Sequence, residues 1–324
     1  MVKLASAEMA EKKLATRAAF GATLAELAEE GVPVVAVDAD LTGSTTTKKF
    51  AAAAPENAEK LFNCGIAEQN MIDVAAGLAL TGHVAYTGSF AVFGTGRAYD
   101  QIRNTVCYSN LDVKICPTHA GVSVGPDGGS HQMLEDISLM RGLPNMRVLV
   151  PADYAAARAV IKLAAKTPGP VYVRMGRAAV PCVYDDDVEL ELGRAYVLRE
   201  GSDATVVACG VEIREALAAA DALAEEGISI EVIDAFSVKP LDEDTITASV
   251  AKTGCCVVAE EHSVHGGLGS AVAECLARKN PAPCEFVGVQ DRFGKSGEFE
   301  ELLGYFNLDA AAIVEAVKRA MGRK

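Results

Sequence analysis

Short β-branched runs alternate with Ala- and Leu-rich stretches along nearly the whole chain, and this rhythm restricts the fold more than any other feature. Val32-Pro33-Val34-Val35-Ala36-Val37 is one such run, followed by His83–Phe90, Val113–His119, Val148–Pro151 and Pro170–Arg174. Strands buried on both faces read this way, and the helical stretches between them supply the crossovers of a parallel sheet. The segment 185–199 is acidic and turn-like, a linker with an edge hairpin. The rhythm then restarts with Ala204–Gly210, Ile228–Ile233, Cys255–Glu260 and Phe286–Val289. The expected class is α/β, with two open, mostly parallel sheets flanked by helices. Residues 1–184 form one domain, 185–202 the linker and 203–324 a smaller α/β domain. Helices are expected over 7–30, Tyr154–Lys166, Glu212–Glu226, Thr245–Lys252 and Ala310–Met321, with another opened by His131.

Charge and cysteine usage narrow the function. A net charge of −14 argues against partners such as nucleic acid or an anionic membrane, without forbidding a local basic pocket. The nine cysteines are scattered, and adjacent Cys255-Cys256 suits neither a CxxC metal knuckle nor an easy disulfide. Reduced, mostly buried thiols in a cytosol are expected. The five histidines form no HxxxH or HExxH pair, so no metal ligand set is expected on this chain. No signal peptide and no membrane-spanning run is read from the sequence.

The chemistry concentrates after strand ends. Asn63 is read as the N-cap of a helix from Gly65 to about Leu80 that is apolar on nearly every side, hence buried. Glu68 in its first turn is then a carboxylate taken out of water, which costs several kcal/mol unless something pairs with it. The helix N-terminus returns only about 0.3–1 kcal/mol. The plainer alternative is a Glu that caps its own helix. Asp38-Ala39-Asp40-Leu41-Thr42-Gly43-Ser44 follows the first strand, where open α/β sheets bind ligands. Thr45 to Thr47 read as a helix cap. Phe90 and Phe93 lie three apart at a strand-to-helix turn, with a helix expected from Arg97 to Cys107. The Gly-rich loop Ala120–Gln132 is flanked by His119 and carries Asp127 and His131, more than a spacer needs. Arg174 and Arg177 end the fifth strand, where a guanidinium suits a phosphate or carboxylate; the plainer reading for Arg174 is an ion pair with Asp185-Asp186-Asp187. Glu260, Glu261 and His262 lie past a later strand end, and the glycines after His265 suit helix packing. There is no Walker A motif, no GxGxxG, no GDG…N diphosphate–metal signature and no GxSxG elbow. Nothing activates a side-chain nucleophile, so the set suits a held cofactor.

Gly65-Ile66-Ala67-Glu68-Gln69-Asn70-Met71, the Phe90…Phe93 pair, Thr118-His119, Gly125-Pro126-Asp127-Gly128 and His131-Gln132 together resemble the transketolase family of thiamine diphosphate enzymes. The likeness covers essentially the whole chain but only the second half of a full-length member: the pyrimidine-binding domain and the C-terminal domain. It implies a C-terminal subunit of a split transketolase in the pentose phosphate pathway. Such a chain is a transferase of two-carbon ketol units between sugar phosphates, active only with an N-terminal subunit. That partner would hold most of the diphosphate and its Mg²⁺ or Ca²⁺. The resemblance also implies a cytoplasmic homodimer of this chain inside a heterotetramer. Glu68 would hydrogen-bond N1′ of the aminopyrimidine, and Phe90 and Phe93 would stack on it at about 0.5–1.5 kcal/mol per contact. Ile66 and Asp40 would lie close to the cofactor. Ser44, His119 and Arg174 would bind the sugar phosphate, Asp127 a sugar hydroxyl, and His131 would sit near cofactor or phosphate, with Glu68, His119 and His131 in catalytic roles. The third aromatic of many members is replaced by Gly96. The alternatives are a β subunit of a 2-oxoacid dehydrogenase E1 component, or a deoxyxylulose-phosphate synthase-like half, which Arg97-Ala98-Tyr99-Asp100-Gln101 suits.

Overall fold

The β-branched runs do pair as two sheets in the computed structural model, which describes residues 2–324. The larger sheet has seven strands in the order Ser237–Lys239, Arg147–Leu149, Val171–Val173, Val113–Ile115, Val84–Gly88, Val34–Asp38 and Leu61–Asn63. Every pair in it is parallel except Ser237–Lys239, which runs antiparallel to Arg147–Leu149. That edge strand comes from the second half of the chain, so the two halves share a sheet. The smaller sheet has five strands, ordered Cys284–Val289, Cys256–Ser263, Ala204–Ala208, Ile230–Asp234 and Tyr196–Arg199, with only the last antiparallel. Val34–Asp38, Val84–Gly88 and Ala204–Ala208 are buried at every position, as strands covered on both faces must be.

Several local expectations are corrected by tertiary pairing. Leu61–Asn63 is a strand beside Ala36–Asp38, so the helix begins at Glu68 and not at Gly65. Asn63 therefore caps nothing; its Oδ1 accepts the N–H of Asp40 and of Gly65, each at 3.0 Å. The helix Glu68–Leu80 is not apolar-buried all round. Met71, Ile72, Ala75 and Ala76 face the core, whereas Leu80 is 73 % exposed. Residues 7–30 are not one helix: Lys13–Ala15 pairs antiparallel with Ala179–Pro181, and a 3₁₀ turn then leads into the helix Phe20–Glu29. His131 opens no helix; the next one starts at Asp136. Tyr196–Arg199 forms no hairpin with its neighbour but pairs with Val232–Asp234. All nine cysteines are free thiols, Cys64 and Cys284 half-buried and the rest buried. Among the described residues, no helix is long and apolar enough to cross a membrane.

Candidate active site

The carboxyl ends of adjacent parallel strands bring the sequence-distant candidates to one place, as open α/β sheets do. Asp38 closes its strand fully buried. It accepts the Leu41 N–H at 2.7 Å and the hydroxyls of Thr45 and Thr47 at 2.7 and 2.8 Å. Those threonines thus serve a buried carboxylate, not a helix cap, and burial pushes Asp38 above the usual carboxylate range. Asp40, two residues on, is exposed with φ +65°.

Glu68 is 2 % exposed, as its apolar neighbours demand. Its partner is Arg97, whose Nη1 donates to Oε2 at 2.8 Å. The same guanidinium lies over the Phe93 ring, its Cζ 4.8 Å from the centroid. Phe93 and Arg97 share a wide, π-type helical turn over Val92–Arg97, a geometry common at functional sites. The Phe90 and Phe93 rings are nearly parallel, 6.2 Å apart at 15°. His131 meets Phe93 edge-on at 5.4 Å. Glu68, Phe93 and Arg97 therefore build a seat in which a planar N–H donor rests on an aromatic face and a buried carboxylate.

His119 stacks on Phe90 with centroids 3.7 Å apart. It holds φ +61° and is 2 % exposed. Its Nδ1 lies 2.7 Å from Thr118 Oγ1, and Arg17 Nη1 lies 3.4 Å from its Nε2. A guanidinium can only donate, so Nε2 accepts and the proton sits on Nδ1. Burial, reinforced by the charges of Arg17, Arg177 and His131, pushes this imidazole down to about 3. Above pH 6.5 both folded and unfolded chains carry it neutral. Below that value only the unfolded state takes up the proton, so folding stability should fall towards about pH 3. The slope from this residue approaches about 1.4 kcal/mol per pH unit. His119→Phe should flatten the acid limb of a denaturant-unfolding series by that amount.

Arg174 does not line this site, contrary to the strand-end expectation. It is 6 % exposed, and its Nε donates to Asp136 at 2.7 Å. Its Nη1 lies 3.5 Å from Glu261, and its Nη2 donates to the Glu261 carbonyl at 2.8 Å. The plainer reading fails as well, since Asp185 and Asp187 pair with Lys3. The cations facing His119 are Arg17 and Arg177. Arg17 donates to the Ser44 carbonyl at 2.9 Å and Arg177 to that of Val124 at 3.0 Å. Asp127 is exposed and close enough to offset part of the mutual repulsion of the two arginines. Ser44 and Asp127 thus join the cluster, while Ile66 is 78 % exposed in the bend before the helix Glu68–Leu80. Glu260 caps the glycine turn after His265, accepting from the Leu268 and Gly269 N–H groups at 2.7 and 2.8 Å. Arg17 escapes the sequence reading because it sits in a stretch that looks like an ordinary amphipathic helix. Arg97 enters that reading as a helix start and in the run Arg97–Gln101 that suits a synthase-like half, not as a partner of Glu68; its place one turn after Phe93 is the available signal.

The chain matches two family models, "Transketolase, pyrimidine binding domain" over residues 12–183 and "Transketolase, C-terminal domain" over residues 193–313. A putative transketolase C-terminal section from Methanocaldococcus jannaschii is 45 % identical over 95 % of this chain and 96 % of its own length. A 6-deoxy-6-sulfo-D-fructose transketolase subunit from a Clostridium species is 42 % identical, over 93 % and 92 %. Human transketolase is 36 % identical over 94 % of this chain but only 49 % of its own length. Among solved structures, a split gene transketolase described as an inactive beta4 tetramer superposes with a TM-score of 0.87. It is 48 % identical, over 96 % of this chain and 99 % of that one.

Proposed function

The chain belongs to the transketolase family, and on that premise we propose that it is one subunit of a split transketolase, moving two-carbon ketol units between sugar phosphates once an N-terminal subunit joins it. The family uses thiamine diphosphate, and the seat made by Glu68, Phe93 and Arg97 is the observation that carries the reading. It already holds a planar N–H donor, so an aminopyrimidine ring would rest there in place of the guanidinium. In this reading Glu68 takes a hydrogen bond from N1′ and Phe90 and Phe93 wall the ring, with Asp40 and Ile66 towards its outer side. Bound there, thiamine diphosphate would supply the chemistry of two-carbon transfer, with Glu68, Phe90 and Phe93 holding its aminopyrimidine ring.

This chain's own residues then set substrate and water. Arg17, Arg177, the Ser44 segment and neutral His119 form a cationic end suited to a phosphate. Asp127 takes a sugar hydroxyl, and His131 stands beside the aromatic wall. Arg174 has no part in this. Mg²⁺ or Ca²⁺ and the diphosphate are assigned to the partner subunit. Residues 1–184 and 203–324 act as the two domains, joined through 185–202. Exposed Ile66 and Leu80 suit contact with a second copy inside a heterotetramer. We assign the assembly to the cytoplasm, in pentose phosphate metabolism or a related sugar conversion, a reading that the free thiols and the proposed substrate class support.

The phosphate-suited cations favour sugar phosphates over the lipoyl arm of a 2-oxoacid dehydrogenase. Mixing this chain with a transketolase N-terminal subunit, thiamine diphosphate, Mg²⁺, xylulose 5-phosphate and ribose 5-phosphate should yield sedoheptulose 7-phosphate only when every component is present. Turnover of pyruvate in that mixture, with no ketol transfer, would instead point to the dehydrogenase or synthase-like alternative.

A further inference from the structure

The loop between His119 and His131 is gripped by the C-terminal half of the chain at two points. At the first, the Ser123 N–H donates to Oε1 of Glu261, a carboxylate 3 % exposed that Arg174 flanks. The approach is so close that a side chain at Gly121, where φ is +81°, would overlap the Glu261 carboxyl. At the second, the Gln132 carboxamide acts like a piece of backbone. Its Oε1 accepts the Lys295 N–H at 2.7 Å and its Nε2 donates to the Lys295 carbonyl at 2.9 Å. The same Nε2 reaches back to the carbonyls of Val122 and Gly125, at 3.2 and 3.3 Å. Glycines permit this contact: a Cβ at Gly129 would come 2.6 Å from the Gly294 carbonyl oxygen. Exposed Asp127 lies between the two grips, and His131 immediately precedes Gln132.

We propose that Glu261 and Gln132 are positioning residues, a two-point clamp by which the C-terminal half fixes the loop that presents Asp127 and His131 to the substrate. The kinetic part of this inference rests on the ketol-transfer reading above; the structural part does not. Ordering a loop costs about 1–2 kcal/mol of backbone entropy per residue. The clamp meets that cost during folding. Without it the cost falls on substrate binding, so KM moves and kcat does not.

The test uses the complex with a transketolase N-terminal subunit, thiamine diphosphate and Mg²⁺, and the variants Gln132→Leu, Glu261→Ala and Glu261→Gln. Gln132→Leu and Glu261→Ala should speed amide hydrogen exchange across 121–132 at least tenfold. They should raise KM for xylulose 5-phosphate about tenfold or more, with kcat within threefold and cofactor affinity unchanged. Glu261→Gln retains an oxygen for the Ser123 N–H and should restore both exchange protection and KM towards the unmodified values. Unchanged exchange across 121–132 in both disruptive variants would overturn the clamp, as would faster exchange with an unaltered KM. No ketol transfer by the unmodified complex would instead defeat the functional reading, and the exchange comparison would still judge the clamp.

Discussion

Glu68→Gln, assembled with an N-terminal subunit and thiamine diphosphate, should lose about 10²–10⁴-fold in kcat, the range of a positioned acid–base group. The substitution keeps the shape of the side chain. Its carbonyl oxygen can still accept from Arg97 Nη1, now 2.8 Å away, so the helix Glu68–Leu80 and its buried face should survive. What disappears is the negative charge that favours a protonated ring nitrogen. A carboxamide can still hydrogen-bond to the ring but cannot stabilise that charge, and the cost is greatest where water is excluded. Sedimentation of the variant complex should match the unmodified one. Full activity in Glu68→Gln would remove Glu68 from the cofactor's chemistry and leave it as a buried ion-pair partner of Arg97.

The same residue shows what a sequence can and cannot disclose. The burial of Glu68 was legible because Ile, Met and Ala crowd its helix, and apolar crowding is a local property. Its partner was not, because Arg97 is brought to it by the fold from 29 positions away. The central strands were legible for the same reason as the burial: both faces are covered, so apolar and β-branched residues dominate and the run stands out. Lys13–Ala15, Leu61–Asn63 and Ser237–Lys239 are three-residue edges that exist only because a neighbour pairs with them. Their composition carries no period. Phe90, Phe93, His119 and His131 were found through motifs, and the structure places their rings together. It also shows His119 already stacked on Phe90, which spacing alone could not reveal. Arg174 was misread because position at a strand end says where a side chain starts, not what covers it. Glu261, 87 positions downstream, folds over it.

Arg174 and Arg17 should therefore fail in opposite ways. Arg174→Met leaves Asp136, fully buried, with Tyr172 as its remaining donor at 2.5 Å. It also strips Glu261 of its flanking charge. Burial alone pushes Asp136 upward, and it is Arg174 above all that holds it below the usual carboxylate range. Glu261 lacks that surplus: burial outweighs Arg174 there and its carboxyl sits above the usual range. Breaking one partner out of a buried ionic cluster costs about 3–5 kcal/mol. In a domain of this size each kcal/mol lowers Tm by about 2–4 °C, so the loss should be plain in calorimetry of the isolated chain. Arg17→Met removes a half-buried cation whose side chain meets a carbonyl and a neutral imidazole, so Tm should barely move. A charge-assisted hydrogen bond to phosphate contributes about 1.5–3 kcal/mol, so KM for phosphorylated sugars should rise about 10- to 150-fold. Unphosphorylated substrates should be almost indifferent to the change. If Arg174→Met kept its Tm and raised KM while Arg17→Met did neither, the strand-end arginine would be the phosphate ligand after all. Substrate binding would then have to supply the several kcal/mol lost when the guanidinium rotates away from Asp136.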